Sequence, residues 1–275
     1  MSSLERDNLN FHLEEYGTGV PFILSHGLGG NATLARDLIG TIGNVRVVVY
    51  DNRAHGQTSG NVAPGTLTFR TMAGDMAAVL DFLDIESAVI GGESMGAGIS
   101  LAFWKLHPER VRALVLIRPA WLNTPYPPNL AILGTMGKLI DDFGREDAPN
   151  RFAQSPDFQQ LAASYPETAK SLMRTLIDFT NPNLALAYKT IPASVPFGGF
   201  EELKAIDVPT LVIANRLDPL HPWECAERLA AAIPGSMLEE IPSKNQDLRE
   251  HQQALRSVVS RFIAGVAAGR SVSHT

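Results

Sequence analysis

Six short apolar runs of strand character punctuate this chain, at residues 22–25, 45–50, 88–91, 113–117, 210–213 and 237–241. Several are apolar at consecutive positions, as in Val47-Val48-Val49 and Leu114-Val115-Leu116-Ile117. A strand with one wet face alternates polar and apolar residues, so a continuous run demands cover on both faces. Helical patterns lie between the runs. Over residues 69–83, Met72, Met76, Val79, Leu80 and Leu83 recur at steps of three and four, and residues 95–106, 223–232 and 248–263 read the same way. The alternation predicts an α/β fold with a mostly parallel central sheet and helices on both faces.

The rhythm changes between Pro119 and Pro209, where Pro and Gly are frequent and segments 130–143, 158–163 and 168–179 look helical without intervening strands. This predicts a helical cap insertion, 119–205, set into a core made of 1–118 and 206–264. The insertion opens with Pro125-Tyr126-Pro127-Pro128, whose prolines cannot donate backbone hydrogen bonds and so mark an irregular crossing. Residues 265–275, with Gly265, Gly269, Ser271 and Ser273, are expected to form a flexible tail.

Composition narrows the function. The 23 Lys and Arg are dispersed among 29 Asp and Glu, net charge −6, which leaves no basic stripe for nucleic acid. Nothing approaches the roughly 18 uninterrupted apolar residues of a membrane helix, and Glu5, Arg6 and Asp7 stand where a secretory leader would be apolar. The sole cysteine, Cys225, cannot form an intramolecular disulfide, and no Cys and His group has metal-ligand spacing. The expectation is a cytoplasmic protein with a small-molecule partner and no metal or organic cofactor. A homodimer is left open.

The most informative segment runs from Val89 to Gly98, where a buried strand meets a helix through Gly92-x-Ser94-x-Gly96. Glycines two residues either side of a serine allow a tight turn that holds the hydroxyl at the strand's C-terminal edge, with the helix N-terminus aimed at it. The plainer reading is a Gly-rich turn with a capping serine. Upstream, the strand ending at Ser25 enters His26-Gly27-Leu28-Gly29-Gly30 at the same edge. The Leu28 and Met95 amides there could stabilise the oxyanion of acyl transfer. A phosphate cradle is the competing use, but Asn31-Ala32-Thr33 lacks the lysine it would want.

With these motifs the chain resembles the α/β-hydrolase superfamily, specifically its cap-bearing, esterase-like members. The resemblance rests on His26-Gly27, on Tyr50-Asp51-Asn52-Arg53-Ala54-His55-Gly56, on Gly92-Glu93-Ser94-Met95-Gly96, on Pro209-Thr210-Leu211-Val212-Ile213, and on Asp218 with Pro222. It implies an α/β-hydrolase fold and a nucleophile, acid and histidine in the order Ser94, Asp218, His251. Asp218 follows an apolar strand and so belongs at the Ser94 edge, although an ordinary turn aspartate before Pro219 would look the same.

The histidine departs from the family pattern, in which it follows the last strand directly. Here that position falls near Asn245 or Gln246, neither of which can serve as a general base. His251 is the nearby candidate. Asp247 and Glu250 have the form of a helix capping box, and Leu248, His251, Leu255, Val258 and Phe262 share one stripe that faces the sheet. A satisfied core histidine is the alternative. His26 and His55 belong to turn motifs, and His221, close to Asp218 but followed by proline, reads as a loop residue.

On the substrate side, Gly27 lies in the oxyanion loop, and Arg118 leaves a strand at the catalytic edge. Arg118 either grips a substrate carboxylate or pairs with an insertion acid such as Asp141, Asp142 or Glu146. Trp121, Tyr126, Phe197 and Phe200 are expected to line or roof the pocket, while Glu93 reads as a carboxylate paired within the sheet. The resulting expectation is a serine hydrolase of the carboxylic-ester type, cleaving a small ester, thioester, lactone or related acyl compound. A barely catalytic ligand-binding protein on the same fold is the alternative. Cofactor-free oxygenase or haloperoxidase-like chemistry, which keeps the serine, ranks third.

Overall fold

A computed structural model describes residues 3–269. The elements follow in chain order as β1 (Ser3–Arg6), β2 (Leu9–Tyr16), β3 (Val20–Ser25), α1 (Ala32–Ile39), β4 (Val45–Tyr50), α2 (Phe69–Phe82), β5 (Ala88–Glu93), α3 (Met95–Leu106) and β6 (Val111–Ile117). Five helices come next: α4 (Ala131–Ala153), α5 (Pro156–Ser164), α6 (Pro166–Asp178), α7 (Leu184–Thr190) and α8 (Phe200–Leu203). The chain then returns through β7 (Thr210–Ala214), α9 (Trp223–Ala232), β8 (Met237–Glu240) and α10 (Leu248–Ala267). Each of the six apolar runs is a strand. Helix α10 continues through Ala267, so residues 265–267, expected in a flexible tail, are helical, and the rest of that expectation from 270 to 275 lies outside the described residues. Among the described residues no helix is long and apolar enough to cross a membrane.

The sheet has the order β1-β2-β4-β3-β5-β6-β7-β8, with β1 and β2 antiparallel and the rest parallel. Alternate residues of one strand serve opposite cores, as the unbroken apolar runs require. Ile23, Val48 and Tyr50 join the residues of α2, α3 and α9, whereas Phe22, Leu24, Val47 and Val49 pack with α1 and α10. Strand order reverses between β3 and β5, whose neighbours on their outer sides are β4 and β6. Ligand crevices in open α/β sheets form outside the C-terminal ends at such a reversal, because the loops there diverge to opposite faces.

The segment between β6 and β7 is helical. Helix α4 breaks at Gly144, where φ is +72°, a conformation open to glycine. Helix α6 lacks a side-chain cap of its own, and Asn245 supplies one from the far end of the chain: its Oδ1 accepts from the Glu167 and Thr168 amides at 3.1 and 3.2 Å. Asn245 Nδ2 donates to Thr168 Oγ1 at 3.0 Å. An Asn245→Ala variant is expected to lose about 1–2 kcal/mol of stability, as helix caps typically do. Urea unfolding would read this as a lower midpoint, and an unchanged midpoint would show that the cap contributes nothing.

Candidate active site

Ser94 stands between β5 and α3 with φ of +56°, a left-handed conformation that a non-glycine residue adopts only when its surroundings compel it. The neighbouring glycines supply the compulsion. A β-carbon on Gly92 would come within 2.1 Å of the Gly96 backbone, and one on Gly96 within 2.1 Å of the Ser25 carbonyl. Strand, turn and helix can approach this closely only without side chains there. The turn presents Ser94 to the β3 loop, where a β-carbon on Gly27 would stand 3.8 Å from Ser94 Oγ.

That loop is held from beneath. Gly30 N–H donates to the Gly27 carbonyl at 2.9 Å. His26 Nδ1 donates to the same carbonyl at 2.8 Å, and its Nε2 accepts from the Asn52 amide at 3.0 Å. Burial lowers His26 to about 4 and His55 to about 3, so both are neutral struts. Neither the Leu28 nor the Met95 amide has a protein acceptor among the described residues, and Met95 begins its helix.

Arg118 follows β6 and lies between Glu93 and Asp218. Its Nη2 donates to Glu93 and its Nη1 to Asp218 Oδ2 at 3.3 Å. It therefore pairs with acids at the C-terminal edge of the sheet, not with the insertion acids; Asp141 instead meets Lys189. Glu93 is the paired carboxylate expected of it, with Arg118 as the partner.

Asp218 is almost wholly buried, which alone would raise its pKa. His221 Nδ1 at 2.9 Å and Arg118 outweigh that penalty and hold the carboxyl well below the usual range. The histidine paired with Asp218 is thus His221, which the sequence reading set aside as a loop residue. Pro222 does not prevent the contact: the turn from Asp218 closes with the His221 amide on the Asp218 carbonyl at 3.3 Å, and this brings the ring back onto the carboxylate.

His251 lies on the first turn of α10, which Asp247 caps by accepting from the Glu250 amide at 2.9 Å. It is buried with Leu255, Val258 and Phe262 as the stripe required, although Leu248 is exposed. No hydrogen bond joins His251 to Ser94 or Asp218 among the described residues. Its Nδ1 instead donates to the Pro242 carbonyl at 2.7 Å, which leaves Nε2 as the acceptor nitrogen. Burial first, and Arg118 next, lower its pKa to about 4, so the ring is neutral at pH 7.

A cavity of about 480 Å³ lies over this edge, lined by Gly29, Glu93, Arg118, Lys244 and His251 together with residues of α1 and α6. None of the expected lining residues Gly27, Trp121, Tyr126, Phe197 and Phe200 lines it, nor does Ser94, and Phe197 and Phe200 pack on each other with centroids 5.3 Å apart. Tyr126 is 65% exposed, because its proline-flanked segment runs over the surface. Trp121 is in the core, edge-on to Phe69 with centroids 5.6 Å apart. Lys244 was missed by sequence reading; its only signal was its place in the loop where relatives carry the histidine.

Residues 20–245 match the family described by the α/β hydrolase fold. A protein of Pseudomonas syringae pv. syringae (strain B728a), whose assigned name is carbamate hydrolase RutD, is 32% identical over 91% of this chain and 97% of its own. Among solved structures, a thermophilic esterase from Thermogutta terrifontis aligns with a TM-score of 0.71 at 23% identity, covering 92% of this chain and 94% of that one. An enol-lactonase from Burkholderia xenovorans LB400 aligns with a TM-score of 0.73 at 20% identity, covering 96% and 100%. At these identities the two structures share the fold.

Proposed function

Because the chain belongs to the α/β-hydrolase family, we propose that it is a serine hydrolase cleaving a small ester, thioester, lactone or carbamate through an acyl-enzyme. The observation that carries this reading is the forced left-handed turn at Ser94, set beside two backbone amides that have no acceptor. Acyl transfer needs both: a hydroxyl held clear of the strand, and donors already aimed at the oxygen on which charge develops.

Ser94 Oγ attacks the carbonyl carbon while the carbonyl oxygen takes up charge opposite Leu28 N–H and Met95 N–H. His251 Nε2 removes the hydroxyl proton and returns it to the leaving group. Water then repeats the sequence and frees the acid. The Pro242 carbonyl fixes the His251 tautomer, the part usually taken by a carboxylate. Ionised Asp218 favours the imidazolium through space, as its charge raises the His251 pKa. Segment 119–205 serves as the cap. In support, a β-carbon on Gly29 would stand 2.3 Å from the Tyr188 hydroxyl and 2.8 Å from Thr175, so α6 and α7 lie directly against the oxyanion loop.

A second reading, a ligand-binding protein with an idle pocket, draws on the lack of a hydrogen bond between Ser94 and any imidazole among the described residues. A fluorophosphonate probe separates the two. Prompt stoichiometric labelling, mapped to Ser94 by peptide mass, is the expected result; a protein that stays unlabelled is a receptor.

A further inference from the structure

Lys244 is a charge in the cavity that this chemistry does not use. It lines the space beside Glu93, Arg118 and His251, carried on the loop between β8 and α10. The loop is firmly held: Ser243 Oγ and Asn245 Nδ2 donate to the Leu217 carbonyl at 2.8 and 3.1 Å, and Asn245 caps α6. The lysine therefore projects from a fixed support.

Its ammonium has no ion pair or hydrogen bond among the described residues, and the acids around it are engaged elsewhere. Glu93 and Asp218 hold Arg118, Asp218 also holds His221, and Glu167 holds Lys170 at 2.5 Å. Burial, followed by Arg118, lowers Lys244 to about 8, which still leaves it protonated at pH 7. Lys244 is half-buried, and a cation partly shielded from water without a counter-ion is stabilised by an incoming anion. Arg118 lines the same cavity and adds its positive charge there, although Glu93 and Asp218 already hold its guanidinium.

We propose that Lys244 anchors a carboxylate carried by the substrate. This rests on the hydrolase reading and narrows it to acidic acyl compounds: half-esters of dicarboxylic acids, or lactones that bear a free carboxylate. A cavity of about 480 Å³ accepts molecules of that size. Lys244 shares the cavity with His251 and with Glu93, the residue before Ser94, so a compound anchored there is held beside the residues proposed for the chemistry.

Titration calorimetry with glutarate, against the uncharged glutaramide, tests the anchor without requiring turnover. The protein is expected to bind glutarate and to discriminate against glutaramide. Lys244→Met should weaken glutarate by about ten-fold or more, the scale of one charge-assisted hydrogen bond, whereas Lys244→Arg should stay within about three-fold. Lys204→Met, which removes an exposed lysine paired with Glu201, is the control and should bind as the parent does. Equal glutarate affinity in the parent and Lys244→Met, equal affinity for glutaramide, or no glutarate binding at all would overturn the proposal. Labelling of Ser94 in a protein indifferent to glutarate leaves the hydrolase and removes the anchor. Lys244-dependent binding by a protein that resists labelling does the reverse.

Discussion

Ser94→Ala is expected to lower kcat on a short-chain aryl ester by about 10³-fold or more, since removal of an acyl-transfer nucleophile leaves only binding and oxyanion stabilisation. KM should move little, because the hydroxyl contributes to the transition state far more than to ground-state binding. The substitution keeps a β-carbon, so the crowded turn between Gly92 and Gly96 is preserved and the variant should fold as the parent does. Residual activity near the parent rate would dismiss the acyl-enzyme and leave the fold without the chemistry proposed for it.

His251→Ala should cost about 10²- to 10⁴-fold in kcat/KM, the usual range for a general base. His221→Ala should cost less than about ten-fold, because that ring is turned onto Asp218. The reverse ranking would transfer the role to the Asp218–His221 pair. The pH profile provides a second readout. The base works only when unprotonated, so kcat/KM should fall as pH drops through about 4, the value to which burial and Arg118 lower His251. Activity at pH 5 should therefore be nearly full, where an ordinary solvated histidine would already be mostly protonated. An acid limb centred near 6.5 would point to a base in contact with water.

Both experiments bear on the feature in which this site differs from its family pattern. The loop after the last strand, which carries the histidine in similar proteins, here carries Asn245 and Lys244. Asn245 is spent on capping α6 and Lys244 faces the cavity, so one short segment docks the helical insertion and presents a cation. A base can then come only from farther along α10 or from the β7 loop. The charges near it are arranged accordingly: Arg118, held between Glu93 and Asp218, lies close enough to disfavour a proton on His251.

Local pattern alone determined the strands, the capped start of α10 and the turn at Ser94. Each depends on neighbours within a few residues: unbroken apolar runs need two-sided cover, Asp247 reaches the amide three residues on, and Gly92 and Gly96 flank the serine they accommodate. The partners of the charged groups were decided by the tertiary structure. Arg118 lies 25 residues from Glu93 and 100 from Asp218, and the three meet because β5, β6 and β7 are adjacent and end at one edge. Tyr126 and Trp121 obey the same logic, one left on the surface and the other drawn into the core by how the segment after β6 crosses the sheet. A side chain's periodicity fixes the face of its element, but the strand order brings the opposing element into place, and no local pattern encodes that order.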